Sequence, residues 1–175
     1  VEILIIYILN KDIVWLHTNY DKEFLKEKEL IKLINKRSNH YPIEYILGKV
    51  SFYGYEFLIN ENVLIPRPET ELLIDNSIKI LQNIKNPKVL EIGVGSGIIS
   101  IVLALLIKDI RIIAVDINED ALKLAKKNAI KFNVSHKIEF IKSDLYNNIN
   151  NIKFYISISN PPYISNNYKL PFNIT

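Results

Sequence analysis

Asn160-Pro161-Pro162-Tyr163, near the end of the chain, is a motif whose residue types could orient a reacting group. Neither proline has an N–H group and both restrict φ, and Pro161 also holds Asn160 extended. The motif therefore predicts a stiff loop with two free acceptors, the Asn160 side-chain oxygen and the Pro161 carbonyl. Such a pair can bind both N–H bonds of a planar amide or amine, while Tyr163 offers a flat apolar face to that group.

A glycine-rich turn at 93–97 (Gly-Val-Gly-Ser-Gly) follows an apolar strand and precedes a helix. Glycine allows positive φ and close approach of a ligand, and open α/β sheets bind ligands at the carboxyl ends of their strands. Ile98 stands where a dinucleotide-binding turn requires its last glycine, and the Lys-Ser or Lys-Thr of a P-loop is missing. We interpret the turn as a site for a ligand without a pyrophosphate, with a simple packing turn as the alternative.

Two carboxylates follow neighbouring predicted strands. Asp116 could accept hydrogen bonds from both ribose hydroxyls of an adenosine, and Asp144 could accept one from the adenine amino group while Leu145 packs on the ring. Either Asp alone could be an ordinary turn residue, but both in register with the glycine turn favour an adenosine site. The arrangement resembles the S-adenosylmethionine-dependent methyltransferases. That resemblance implies that Glu91 begins the motif and that the turn holds the amino-acid end of the cofactor.

Methyl transfer to a planar nitrogen is the chemistry that the two motifs would share. A sulfonium methyl group is a strong electrophile, whereas an amide nitrogen is a poor nucleophile because its lone pair is delocalised. The protein would then mainly align the reactants and exclude water, and the two acceptors would support positive charge on nitrogen. No general base is needed, and His17, His40 and His136 lie far from both motifs in the sequence. Surface or packing roles are favoured for these histidines.

Hydrophobic periodicity predicts the elements that position these motifs. Residues 1–40 look helical, with Asp12 and Asp21 as helix caps, and residues 42–48 are expected to break this pattern. The first 40 residues are thus expected to form a small helical bundle.

A β-hairpin around Gly54 is predicted next, followed by an extended piece at 63–65 and a helix that Thr70 can cap. Strands then alternate with helices, and the crossovers are long enough for right-handed βαβ units, which predicts a doubly wound, mainly parallel, Rossmann-like α/β sheet. The predicted strands are 88–92, 111–115, 138–142 and 154–159, and the predicted helices between them are 98–107 and 119–132.

Several families of methyltransferases act on planar nitrogens, and the segment before the glycine turn distinguishes these families from one another. Tyr-Ile-Leu-Gly at 45–48, Phe-Tyr-Gly at 52–54 and Val-Leu-Ile-Pro-Arg-Pro-Glu-Thr-Glu at 63–71 closely resemble the HemK/PrmC family. The resemblance covers essentially the whole chain as far as Tyr163. This family comprises the protein-(glutamine-N5) methyltransferases that modify the Gly-Gly-Gln motif of class I peptide chain release factors, the proteins of translation termination.

The resemblance implies a role for each motif. Segment 66–70 should fold over the active site, and the helical start should bind the release factor. The residues expected to bind S-adenosylmethionine are Glu91, Gly93, Val94, Gly95, Ser96, Gly97, Asp116, Asp144, Leu145 and Asn160. The residues expected to bind the substrate glutamine are Arg67, Asn160, Pro161, Pro162 and Tyr163, of which Asn160, Pro161 and Tyr163 are expected to be catalytic.

Three parts are expected along the chain: a partial helical recognition domain at 1–45, a β-hairpin linker at 46–70 and a cofactor-binding methyltransferase domain at 71–175. The chain begins with Val1 and contains no Met, and the family has a longer helical start and further C-terminal strands. We therefore expect a fragment, truncated at its C-terminus, with low stability and low activity on its own.

Composition narrows the classes of function. The net charge of +3 is mild and gives no warrant for nucleic-acid binding, and without cysteine there is no thiolate metal site, so no metal is expected. The longest apolar stretches, 3–9 and 98–107, are too short to span a membrane, and a cytoplasmic monomer is expected. Two alternatives stay open: a nucleic-acid base methyltransferase, which would need a basic groove that is not evident, and a non-catalytic remnant that only binds cofactor or release factor.

Overall fold

Short helices form the first of two compact units, Val1–Leu47. The computed structural model describes residues 1–149 and 152–161. The helices of this unit are α1 (Glu2–Leu9), α2 (Ile13–Thr18), α3 (Glu27–Ser38) and α4 (Ile43–Leu47). Leu4, Ile8 and Leu16 are buried, so the helical start predicted from the sequence is confirmed.

The ends of these helices test the predicted caps. Asp12 caps α2, because its carboxylate accepts a hydrogen bond from the Trp15 N–H at 2.7 Å. The prediction for Asp21 is wrong, since α3 begins only at Glu27. The expected break at 42–48 is also wrong, because α4 fills most of it. Pro42 stands just before α4, where its missing N–H costs the helix no hydrogen bond, and its carbonyl accepts from the Ile46 N–H at 3.4 Å.

A β-hairpin opens the second unit, which begins at Gly48. Strands β1 (Lys49–Phe52) and β2 (Tyr55–Leu58) pair antiparallel, and the turn between them has φ of +50° at Tyr53 and +76° at Gly54. Two positive φ angles in succession match the twist of a two-residue hairpin turn. The expected strand at 63–65 is absent from the described part of this unit.

Helix α5 (Glu69–Leu81) follows the Pro-Arg-Pro segment. Its N-cap residue is Pro68, and no side chain caps it. The prediction that Thr70 caps this helix is therefore wrong: Thr70 lies inside the first turn and its side chain is used elsewhere. Ile74 and Leu81 of this helix are fully buried.

The sheet of the second unit has the order β5-β4-β3-β6 and all its pairings are parallel. Strand order reverses at β3, since β4 and β6 pair with opposite sides of it. The prediction of a mainly parallel, doubly wound sheet is confirmed. The strands are β3 (Lys88–Ile92), β4 (Arg111–Asp116), β5 (Ile138–Lys142) and β6 (Ile156–Ser159), and the helices between them are α6 (Ile98–Leu106) and α7 (Glu119–Lys131).

One apolar cluster joins α5, α6 and α7 to a face of this sheet. Its fully buried members include Ile74 of α5, Val102 of α6, Ala125 of α7 and Val89 of β3. Close packing of this kind fixes the carboxyl ends of the strands relative to the helices. Among the described helices, none is long and apolar enough to cross a membrane.

Candidate functional site

Three of the predicted motifs follow strands that are neighbours in the sheet. The glycine turn begins after β3 at Gly93, Asp116 is the last residue of β4, and Asn160 follows β6. Because the strands are parallel, their carboxyl ends lie at the same edge of the sheet, where such folds bind ligands. The reversal of strand order at β3 separates the loops there and opens a crevice.

The glycine turn is held by the end of β4. The Gly93 and Val94 N–H groups both donate to the Val115 carbonyl, at 2.9 and 3.0 Å. Gly93 and Gly95 have φ of +74° and +54°, and a Cβ added at either would meet no other atom within 4 Å. The turn thus exposes bare backbone at these two positions, as a close-approaching ligand requires.

Gly97 is required for a different reason. Its φ is +84°, and an added Cβ would lie 3.0 Å from the Cβ of Ala125. This glycine lets the start of α6 approach α7 closely, and its predicted contact with the cofactor stays a prediction.

Asp116 is half-buried beside the turn. One carboxylate oxygen accepts from the Gly95 N–H and the other from the Asn118 N–H, both at 2.9 Å. Each oxygen of an ionised carboxylate keeps a further lone-pair position. Asp116 can therefore hold the turn and still accept hydrogen bonds from two hydroxyl groups of a ligand.

Asp144 and Leu145 lie in the turn after β5, and both are exposed. The turn starts next to Asp116, because the Ser143 N–H donates to the Asp116 carbonyl at 3.1 Å. Ser143 also stabilises the turn, since its hydroxyl donates to the Leu145 carbonyl at 2.9 Å. Asp144 and Leu145 thus sit at the correct edge of the sheet, and their contact with an adenine ring stays a prediction.

A pocket connects the glycine turn to the segment that opens α5 and to the end of β6. This brings together three sequence motifs that were predicted separately. Arg67 does not line the pocket: its side chain is exposed, and its carbonyl accepts from the Thr70 N–H at 2.9 Å. The lining residues are Leu64, Pro66, Thr70, Glu91, Gly93, Val94, Gly95, Ser96, Ile98, Ile99 and Asn160.

Glu91 is a buried carboxyl group in the wall of this pocket, with 2% of its surface exposed. It accepts hydrogen bonds from the Ser100 N–H, at 2.9 Å, and from the Ser100 hydroxyl. Burial raises the pKa of Glu91 to about 8; the Ser100 hydrogen bonds oppose this shift, and the charge of Asp116 adds to it. A cation beside Glu91 would oppose this shift and favour its ionised form.

Asn160 is half-buried and lines the same pocket. Its Nδ2 donates to the Thr70 hydroxyl oxygen at 2.9 Å. The side-chain oxygen of Asn160 is thus the end of the amide that remains for a ligand. The end of β6 is held in place because the Ser159 hydroxyl donates to the Ile92 carbonyl at 2.9 Å. Pro161 is exposed, while Pro162 and Tyr163 lie outside the described residues.

Asn128 is a residue of this region that the sequence analysis missed. It is fully buried in α7; its Nδ2 donates to the carbonyls of Leu58 and Ser96, at 3.0 and 2.9 Å, and its oxygen accepts from the Leu58 N–H at 2.9 Å. It therefore ties the hairpin to the glycine turn. The available signal was a polar residue between Ala125 and Ala129, on the apolar face of an amphipathic helix.

Two family models match the sequence. The model described as Methyltransferase small domain matches residues 69–173, which is more than half of the chain. The chain belongs to the methyltransferase small-domain family. The model of the PrmC N-terminal domain matches residues 1–48 of this family member, and the resemblance to the HemK/PrmC family is confirmed.

Curated relatives of this methyltransferase-family chain resemble it over nearly its whole length. A release factor glutamine methyltransferase of Dictyoglomus turgidum is 43% identical over 176 residues, which cover 98% of this chain and 61% of that protein. A bifunctional methyltransferase of Rickettsia bellii is 38% identical over 196 residues, which cover 96% of this chain and 35% of that protein. The chain thus spans less than two thirds of the length of these relatives.

Solved structures agree with the α/β fold of this methyltransferase domain. The human methyltransferase 10 domain containing protein superposes with a TM-score of 0.52, over 64% of this chain and 56% of that chain, at 21% sequence identity. At this identity the similarity shows a shared fold.

Proposed function

We propose that this protein transfers a methyl group from S-adenosylmethionine to the side-chain amide nitrogen of the glutamine in the Gly-Gly-Gln motif of class I release factors. The observation that carries the proposal is the shared pocket. There Pro66 and Thr70 meet the glycine turn and Asn160, and these two residues belong to the segment on which the resemblance to the HemK/PrmC family rests.

The residues around the glycine turn support the cofactor part of the proposal. Gly93 and Gly95 offer bare backbone for close approach, and Asp116 keeps acceptor positions for ribose hydroxyls beside Gly95. Glu91 would face the cationic amino-acid end of the cofactor, which would favour its ionised form. The glycine spacing also argues against a pyrophosphate-bearing ligand.

Asn160 and Pro161 would act on the substrate. Bound S-adenosylmethionine supplies an electrophilic methyl group. The Asn160 side-chain oxygen and the Pro161 carbonyl would each accept a hydrogen bond from one N–H group of the glutamine amide. These hydrogen bonds would direct the amide nitrogen at that methyl carbon. The same acceptors would stabilise the positive charge that develops on nitrogen, and the proton would then leave to solvent.

A methyl-transfer assay tests this function. Labelled S-adenosylmethionine is incubated with this protein and a class I release factor, with the Dictyoglomus turgidum relative as positive control. A release factor whose Gly-Gly-Gln glutamine is replaced by alanine serves as the matched substrate control. Label on the parental release factor alone supports the proposal. Label on adenine-containing DNA or RNA instead identifies a nucleic-acid base methyltransferase, and cofactor binding without transfer identifies a non-catalytic protein.

The remaining expectations belong to this proposal. They are the division at 1–45, 46–70 and 71–175, binding of the release factor by the helical start, a monomeric state, a cytoplasmic location and the absence of direct contact with nucleic acid. Sedimentation velocity tests the monomer, since a dimer would sediment with twice the mass. Pull-down of the release factor with variants of the helical start tests the binding role.

A further inference from the structure

Thr70 links the first turn of α5 to the loop that follows β6. Its hydroxyl oxygen accepts the hydrogen bond from Asn160 Nδ2 at 2.9 Å. Thr70 is only 6% exposed and lines the same pocket as Asn160 and the glycine turn. Two residues that are 90 positions apart in the sequence thus form one unit at the candidate site.

The hydroxyl of Thr70 is not needed to start α5. The N-cap is Pro68, and the Thr70 N–H already donates to the Arg67 carbonyl. Threonine is also a weaker helix former than alanine, because its branched side chain loses rotamer freedom in a helix. The hydroxyl of Thr70 is therefore free of a capping role and serves the contact with Asn160.

An asparagine amide has a donating end and an accepting end. When Nδ2 donates to Thr70, the oxygen of Asn160 is the end that remains for a substrate N–H. The reverse orientation would place the Asn160 NH2 against the NH2 of the substrate, so that two donors would face each other. Reactant alignment tolerates only a fraction of an ångström of error, so a side chain that fixes the plane of this amide affects the rate.

We propose that Thr70 is a positioning residue that holds the Asn160 amide with its oxygen directed at the substrate nitrogen. This role rests on the proposed function, and Thr70 acts through Asn160 rather than on the substrate. Because Thr70 and Asn160 both line the pocket, the effect of Thr70 should be larger on the methyl-transfer step than on cofactor binding.

Thr70→Val and Thr70→Ser test the proposal. Valine keeps the shape but removes the hydroxyl, and should lower kcat by about tenfold or more, a larger factor than any rise in the Kd for S-adenosylmethionine. Serine restores the acceptor and should restore kcat. Ser77→Ala is the matched control, because it removes a hydroxyl of the same helix that is 4% exposed and bonds the Leu73 carbonyl instead; it should keep the parental kcat.

The side-chain amide signals of Asn160 in ¹⁵N-labelled protein give a readout that needs no substrate. Thr70→Val should shift these signals, and Thr70→Ser should leave them near the parental position. If the valine variant does not fold, Thr70→Ala is compared with Thr70→Ser instead. Both of these variants lack the methyl group of threonine, and they differ only in the hydroxyl. An active parent whose kcat is unchanged in the variants without the hydroxyl overturns the positioning role alone. A parent that transfers no methyl group overturns the proposed function, and the positioning role with it.

Discussion

Asn160 is the residue on which the proposed chemistry depends most. Asn160→Ala removes one acceptor for the substrate amide and leaves Thr70 without its donor. We expect kcat to fall by about a hundredfold or more, the usual cost of one preorganised polar contact. Single-turnover methyl transfer measures this. Asn76→Ala, the same change at an exposed position of α5, should keep the parental rate, and a parental rate for Asn160→Ala would contradict the assignment.

Asp116 is the residue on which binding of the cofactor should depend most. Asp116→Ala removes two acceptor positions and the contact that holds the Gly95 N–H. Hydrogen bonds to charged groups contribute about 1.5–3 kcal/mol, so the Kd for S-adenosylmethionine should rise by roughly tenfold to a hundredfold. Isothermal calorimetry measures it. Asp120→Ala removes an exposed carboxylate of α7 that pairs only with Lys123 among the described ion pairs, and it should leave the Kd unchanged.

The elements around the site are joined by Asn128. Asn128→Ala leaves the Leu58 N–H and the carbonyls of Leu58 and Ser96 without their partner. Unsatisfied buried groups cost about 1–3 kcal/mol each, but Leu58 is only half-buried and water can replace part of its lost hydrogen bonds. We therefore expect the free energy of unfolding to fall by about 2–4 kcal/mol overall. Urea unfolding measures this, with exposed Lys127→Ala as control. An equal effect of both changes would show that Asn128 does not join the hairpin to the turn.

The contact between α6 and α7 depends on the lack of a side chain at Gly97. Gly97→Ala and Gly54→Ala both force alanine to positive φ, of +84° and +76°, but only at Gly97 does the new Cβ meet Ala125. Strain at positive φ alone costs about 1–2 kcal/mol. Gly97→Ala should therefore lower the melting temperature clearly more than Gly54→Ala, and should also weaken cofactor binding. Equal losses would mean that backbone strain, rather than helix packing, explains this glycine.

The pH dependence of stability is a property of the whole molecule that Glu91 should control. Its pKa is about 8 in the folded protein, against 4.5 for the ordinary carboxyl. The folded state therefore binds this proton more tightly than the unfolded state. The resulting stabilisation is complete below about pH 4.5 and is lost as pH rises towards 8. One pKa unit corresponds to about 1.4 kcal/mol, so the loss should amount to roughly a few kcal/mol.

Urea unfolding of the parent and of Glu91→Gln between pH 5 and pH 8 checks this, at several values across that range. Glutamine stays neutral and still accepts from Ser100, so the variant should gain stability relative to the parent as pH rises. Glu139→Gln, at an exposed position of β5, should run parallel to the parent. Parallel curves for Glu91→Gln would show that the buried carboxyl does not titrate in this range.

Most elements of the second unit could be predicted from the sequence by itself. Strands β3 and β5 have the predicted bounds, and α6 and α7 end one residue before the predicted ends. Hydrophobic periodicity and glycine are local signals, and burial of the apolar face then stabilises the same element that the pattern indicates. The parallel direction of the strands could also be predicted, because the alternation of strands with helices provides the crossover connections that parallel strands need.

Tertiary structure alone decided which groups contact each other at the site. Thr70 was predicted as a helix cap from its neighbours, but its hydroxyl binds Asn160, and Asn128 binds Leu58 at a separation of 70 residues. No local pattern encodes such pairs, because they depend on strand order and on the packing of α5 and α7 against the sheet. The residue types of the site could thus be read from the sequence, whereas their hydrogen-bond partners, and the raised pKa of Glu91 that burial causes, arise only when the chain is folded.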